Sequence, residues 1–229
     1  MPTIHAIIFD LDDTLYPERE YAFSGFAAVA AAFEDRLGDR AETTAAMKCL
    51  FDTRHRPRVF NALLTDRGLP EDQKLIDRMI ETYRAHRPAI TLYPDADTAL
   101  TRLRGRYRLG LITDGPPVQQ WAKIDALGLQ PSLDEIVVTS ELGPEYSKPH
   151  PAAFELIAKR FAIESTRCAY VADNPAKDFI APNALGWTTI QITRADGIYR
   201  DVSPAKAGVP HHFIDTLDSF DRLLESVAG

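Results

Sequence analysis

The chain has 229 residues, 45% of them hydrophobic and 26% charged, with a formal net charge of −7 at pH 7. That length accommodates one sizeable core, or one core with a smaller accessory domain. The acidic balance argues against a nucleic-acid polymer or an anionic membrane surface as partner, and no apolar run approaches the roughly 18 residues of a membrane span.

The first strand is predicted over 4–9 (IHAIIF), where a near-continuous apolar run indicates cover on both faces. It leads directly into Asp10, Asp12 and Asp13. The following ninety or so residues show no strand pattern; alanine, leucine and apolar spacing of 3–4 predict helices over 22–38, 41–53 and 71–86. A structureless loop of that length does not suit a compact domain, so residues 16–93 read as an inserted helical cap between core segments 1–15 and 94–229. HRPAITLYPDA (86–96) reads as an extended return segment, and Tyr16–Pro17 and Leu92–Pro94 as the joints. Further strands are predicted over 107–113, 134–140, 168–173 and 188–193. Between them, VQQWAKIDALGL stops at Gly128, and PHPAAFELIAKRF begins at prolines suited to a helical first turn. Strand–helix–strand repetition gives an α/β fold, a doubly wound, Rossmann-like parallel sheet with a helical insert. The two cysteines, Cys49 and Cys168, form neither a disulfide framework nor a metal motif, and Cys168 reads as a buried thiol. No basic segment leads into an apolar signal region, so a cytoplasmic setting is expected.

Chemistry in open parallel sheets gathers beyond the carboxyl ends of the strands. Acids and cations collect there: Asp10, Asp12 and Asp13 after the first strand, Thr113 and Asp114 after the second, Lys148 past the third, Asp173 and Asp178 after the fourth. Clustered carboxylates repel and are costly to desolvate, which calls for a divalent cation and a lysine as compensation. A carboxylate can attack phosphorus to form an acyl phosphate, splitting hydrolysis into two easier displacements. A second acid nearby can protonate the leaving oxygen and then take a proton from water.

These residues resemble the haloacid dehalogenase superfamily over almost the whole chain, in its helical-cap subgroup. Asp10, Asp12 and Thr14 match its Asp-x-Asp-x-Thr motif, Thr113 in LITDG the second, Lys148 in SKPHP the third, and Asp173 and Asp178 in VADNPAKD the fourth. The resemblance implies that Asp10 is nucleophile and Mg²⁺ ligand. It makes Asp12 the acid/base, with its backbone carbonyl on the metal. Thr113, Asp114 and Lys148 would bind phosphate, Asp173 would bind metal, and Asp178 would stand behind the metal or Lys148. Two departures are Ala172, where the family often has glycine, and Pro182, which is expected to cost a helical hydrogen bond. Asp13 and Thr14 also suit a turn at the strand exit. The DGPPVQQWAKIDALGL stretch resembles the nucleotidase and sugar-phosphatase branch, with Gln119, Gln120 and Lys123 as suggestive residues.

In the insert, Glu18 and Arg19 follow the first motif and are candidates for the site entrance; Arg54 and Arg56 could meet a leaving group or simply face solvent. Phe23, Phe26, Val29 and Phe33 have packing spacing. The expected activity is Mg²⁺-dependent hydrolysis of a small phosphorylated metabolite, a nucleoside monophosphate or sugar phosphate, by a monomer or homodimer. A 2-haloacid dehalogenase shares the scaffold but needs no acid/base at Asp12. A phosphomutase would keep the same acids. A receiver-like or pure binding module fits neither the length nor the retention of Asp10 and Asp12.

Overall fold

The computed structural model describes residues 3–53 and 56–228. Six parallel strands form one sheet in the order β3-β2-β1-β4-β5-β6: β1 Ala6–Phe9, β2 Arg108–Thr113, β3 Glu135–Val138, β4 Cys168–Ala172, β5 Thr188–Ile192 and β6 His212–Ile214. β1 is central and wholly buried, which explains its unbroken apolar run. Phe9 is level with Leu111 on one side and Val171 on the other, so the residues following β1, β2 and β4 emerge at one edge. The chain builds outward from β1 through β2 to β3, then crosses to β4. This reversal is the topological switch point at which open α/β sheets bind ligands.

The connecting helices are α6 Pro94–Leu103, α7 Pro117–Ala126, α8 Ala152–Phe161 and α9 Ile180–Ala184; α10 Phe220–Ala228 follows β6, and among the described residues five helices precede α6. One face of the sheet packs Ile8, Ile112 and Tyr170 with Phe154, Ile157 and Trp187. Gly110 allows that approach: a Cβ there would stand 2.5 Å from Ile157 Cδ1. Helix α7 ends two residues before Gly128, which adopts φ 63°. Pro182 lies at the third position of the five-residue α9, within the first turn, where its missing N–H has no intrahelical partner to lose. The expected cost of a hydrogen bond is therefore not incurred.

Residues Met1–Glu18 and Thr91–Gly229 form one compact unit and Arg19–Ile90 a second. The second contains most of α1 (Glu18–Ala32), then α2 Glu34–Leu37, α3 Arg40–Asp52, α4 Val59–Asp66 and α5 Gln73–Ala85. Asp39 and Asp72 cap α3 and α5 through paired backbone N–H bonds. Phe26, Val29 and Phe33 are buried, and Phe23 packs its ring against Phe26 and Phe51. Among the described residues, no helix is long and apolar enough to cross a membrane.

Candidate active site

Asp10 leaves β1 with its N–H still bonded to Val171 O at 2.9 Å, which anchors its backbone to the sheet. The chain then turns through Asp13, whose φ of 50° is a left-handed conformation that aspartate tolerates. The Asp13 carboxylate secures the turn by accepting the N–H of Glu18 at 2.8 Å and of Ile198 at 2.6 Å. Asp13 is thus a buried turn-former, and Thr14 is fully buried beside it with its main-chain oxygen held by Arg194.

Lys148 reaches the edge from the loop after β3. Its ammonium lies 2.6 Å from Asp10 Oδ1, 2.8 Å from Asp178 Oδ1 and 3.0 Å from the Tyr170 hydroxyl. Asp178 Oδ2 accepts the Asn174 N–H at 3.0 Å, so this acid is tied to the lysine and to its own loop. Asp114 also points at cations: it accepts from Lys177 Nζ at 2.6 Å, Thr139 Oγ1 at 2.7 Å and the Lys148 N–H at 3.1 Å. Its carboxylate braces these groups, so any phosphate contact from Asp114 would have to come from its main chain. The Thr113 hydroxyl receives Gln120 Nε2 at 2.6 Å.

Asp12 faces a different set of donors. Lys123 Nζ lies 2.7 Å from its Oδ1, Tyr16 donates its hydroxyl to the same oxygen, and Gln120 Nε2 approaches Oδ2 at 3.4 Å. A pocket of about 190 Å³ opens here, lined among others by Asp10, Asp12, Glu18, Lys123, Asp173 and Lys177. Thr113 and Lys148 are buried and do not line it. Arg19 pairs instead with Asp52 at 2.7 Å, inside the insert. Arg54 lies outside the described residues, and Arg56 opens a short 3-10 turn, Arg56–Arg58.

The carboxyls at this edge are raised by burial and by one another. Burial pushes the Asp10 carboxyl up to about 7, with Lys148 opposing and Asp178 adding to the rise. Burial, then Asp178 and Asp10, hold Asp173 well above the carboxylate range. Glu18 rises to about 8 through burial and the charge of Asp12. Asp12 behaves oppositely: burial works against ionisation, but Lys123, Tyr16 and Gln120 outweigh it and lower its pKa. Burial would also discharge Lys148, yet Asp10 and Asp178 keep its pKa well above the ordinary value. Asp10, Asp173 and Asp178 offer carboxylate oxygens within 4.8 Å of one another. Hard oxygen donors at that spacing fit a divalent cation, which would relieve the repulsion.

Sequence reading gives Lys123 and Gln120 too little weight. Their signal is a spacing of three on α7, which places both on one helical face directly after the second motif. Lys177, Asn174 and Tyr199 are further pocket residues not singled out by motif.

The sheet, its switch point and this carboxylate–lysine edge make up one candidate site at the strand tips. The haloacid dehalogenase-like hydrolase model matches residues 4–186, and the chain belongs to that family. Glyceraldehyde 3-phosphate phosphatase from Methanopyrus kandleri is 32% identical over 210 residues, spanning 88% of each chain. N-acylneuraminate-9-phosphatase from Homo sapiens is 24% identical and spans 98% of this chain and 95% of its own. Among solved structures, the HAD-hydrolase YfnB from Bacillus subtilis is similar with a TM-score of 0.69 at 19% identity, covering 97% of this chain and 99% of that one. Within its family the protein is a phosphomonoester hydrolase.

Proposed function

We propose that the protein hydrolyses a small sugar phosphate, with Mg²⁺ as the metal and Asp10 as the nucleophile that accepts the phosphoryl group. The carrying observation is the pairing of Asp10 and Asp12. They stand two residues apart at one pocket, the first tied to Lys148 and the second to Lys123. The Asp10 carboxylate attacks phosphorus, forming an acyl phosphate as the ester P–O bond breaks, and Asp12 gives its proton to the leaving oxygen. Asp12 then takes a proton from water as the water oxygen attacks phosphorus, which frees phosphate and restores Asp10. Lys148 neutralises charge on Asp10 as the phosphoryl dianion approaches, and with Thr113 is assigned the phosphoryl oxygens. Asp10, Asp173 and the main-chain carbonyl of Asp12 would hold Mg²⁺, with Asp178 behind them. When bound, the ion supplies charge neutralisation and orientation of the phosphoryl group.

Relatives named as glyceraldehyde 3-phosphate phosphatases favour a short phosphorylated carbohydrate over a nucleoside monophosphate. The pocket of about 190 Å³ suits the phosphoryl end and a short carbon chain. Residues 19–90 act in this reading as a cap that selects the leaving group. Cys49 and Cys168 are both free, consistent with action in the reducing cytoplasm on a small metabolite. The test is a panel of glyceraldehyde 3-phosphate, larger sugar phosphates, nucleoside monophosphates and p-nitrophenyl phosphate, with Mg²⁺ and after chelation. Turnover should be greatest on a short sugar phosphate and should vanish on chelation. Undiminished turnover without metal, or chloride release from 2-chloropropionate without any phosphatase activity, would overturn the reading.

A further inference from the structure

We infer that Lys123, with Tyr16, is a positioning residue that reserves Oδ2 of Asp12 as the oxygen that carries the catalytic proton. The inference rests on the phosphatase reading and assigns the acid/base step to one atom.

Both strong donors on Asp12 converge on Oδ1: the Lys123 ammonium at 2.7 Å and the Tyr16 hydroxyl. An ammonium has three donors and no acceptor, so a proton on Oδ1 would point at another donor. Among the described residues, Oδ2 has only the 3.4 Å approach of Gln120 Nε2, and that amide has closer partners in Thr113 Oγ1 at 2.6 Å and Asp114 O. When Asp12 carries a proton, the geometry places that proton on Oδ2. In the first displacement the Oδ2–H bond breaks as the leaving oxygen gains the proton and parts from phosphorus. In the second, Oδ2 gains a proton from water while the water oxygen bonds to phosphorus and the acyl phosphate cleaves. Oδ1 keeps its two donors throughout, so the carboxyl need not rotate between steps.

The placement of Lys123 supports a functional reason for it. It lies in the middle of α7 with only 3% of its side chain exposed, yet it lines the pocket. Burying an ammonium is costly, and an apolar side chain of similar volume would serve packing at least as well. The Tyr16 ring lies 6.0 Å from the ammonium, so ring and hydroxyl together confine it and Asp12 to one arrangement. Gln120, one turn earlier on the same helix, keeps Thr113 and Asp12 in register.

The experiment compares kcat/KM, which reports steps up to departure of the leaving group, for two substrates with Mg²⁺ present. Glyceraldehyde 3-phosphate leaves as an alkoxide that must be protonated; p-nitrophenolate leaves unaided. Lys123→Met should lower kcat/KM at least about tenfold on the alkyl ester while p-nitrophenyl phosphate stays within about threefold, a share of the 10²–10⁴-fold available to acid catalysis. Tyr16→Phe keeps the buried ring and removes only the hydroxyl; it should show the same selectivity at smaller amplitude, and it serves if Lys123→Met folds poorly. Equal losses on both substrates, or no loss on either, would overturn the clamp while leaving the phosphatase reading intact. Absence of wild-type turnover on both esters would overturn that reading and the clamp together.

Discussion

The two compact units of this chain are stabilised by opposite means. In the insert, Phe26 sits among four rings, with centroids of Phe23, Phe51, Phe60 and Tyr83 between 5.8 and 6.4 Å away. Gly25 lets Tyr83 come close: a Cβ there would lie 2.5 Å from that ring. Its ion pairs among the described residues, Arg19–Asp52 and Arg40–Glu34, are exposed and contribute little. At the carboxyl edge of the sheet the reverse holds. Lys148 and Lys123 are buried against acids, and Asp10 and Asp173 are crowded beyond what those lysines neutralise. One unit gains stability from its contacts; the other gives some up to hold a reactive arrangement.

The sharpest way to break this comparison is at Asp10. Asp10→Asn should reduce turnover of every phosphomonoester to background and abolish covalent phosphorylation by substrate, without lowering the thermal midpoint of the metal-free protein. Near-wild-type turnover would remove Asp10 as the nucleophile. Asp12→Asn should cost about 10²–10⁴-fold in kcat/KM on alkyl phosphates and less on p-nitrophenyl phosphate. In the insert the expectation is inverted. Phe26→Ala should destabilise by about 3–5 kcal/mol in denaturant unfolding, because a buried ring is removed from a packed cluster. A loss under about 1 kcal/mol would show that the rings do not carry the unit.

The electrostatic half of the comparison can be tested by pH. Asp10, Asp13 and Glu18 have pKa values of about 7, 6 and 8, raised from ordinary values of 3.8 and 4.5. Each binds its proton more tightly folded than unfolded. Their contribution is therefore complete below about pH 4 and is lost as pH rises through 6 to 8. The chelated protein should show a falling midpoint between pH 5 and 8. Mg²⁺ should restore it most at pH 8, by about 2.7 kcal/mol at a hundredfold excess over its Kd. A pH-independent midpoint with the same Mg²⁺ shift at both ends would mean that the acids are already compensated.

What could be read from sequence follows from the same contrast. β1 to β5 are legible because strands covered on both faces need uninterrupted apolar runs, and the residues at their tips are legible because phosphoryl chemistry restricts residue type. β6 is only His212, Phe213 and Ile214 at the sheet margin, with Phe213 63% exposed, so no such run marks it. Helix α4 is a short stretch, VFNALLTD, whose apolar face emerges only when α3 and α5 are placed. The partner of Arg19 is Asp52, thirty-three positions away, and no local pattern announces it. Asp114 follows the second motif and attracts a phosphate role, whereas its carboxylate turns to Lys177, Thr139 and the Lys148 N–H. Motif spacing reports which residues share an edge; it does not report which way each side chain turns there.

The smallest expected effect concerns an end of a helix in the insert. Asp72 Oδ1 accepts the backbone N–H of Lys74 at 3.0 Å and of Leu75 at 3.4 Å, two donors with no partner inside α5. The negative charge also stands at the positive end of the helix dipole. Asp72→Ala should cost about 1 kcal/mol and Asp72→Asn less, since the amide oxygen still accepts the bonds while the charge is gone. Measured by denaturant unfolding with activity followed in parallel, the variants separate cap from catalysis. Lowered stability with unchanged kcat is the result expected of a region that works by packing. A loss of kcat at full occupancy of the folded state would mean instead that α5 is coupled to the chemistry, and the division drawn between the two units would fail.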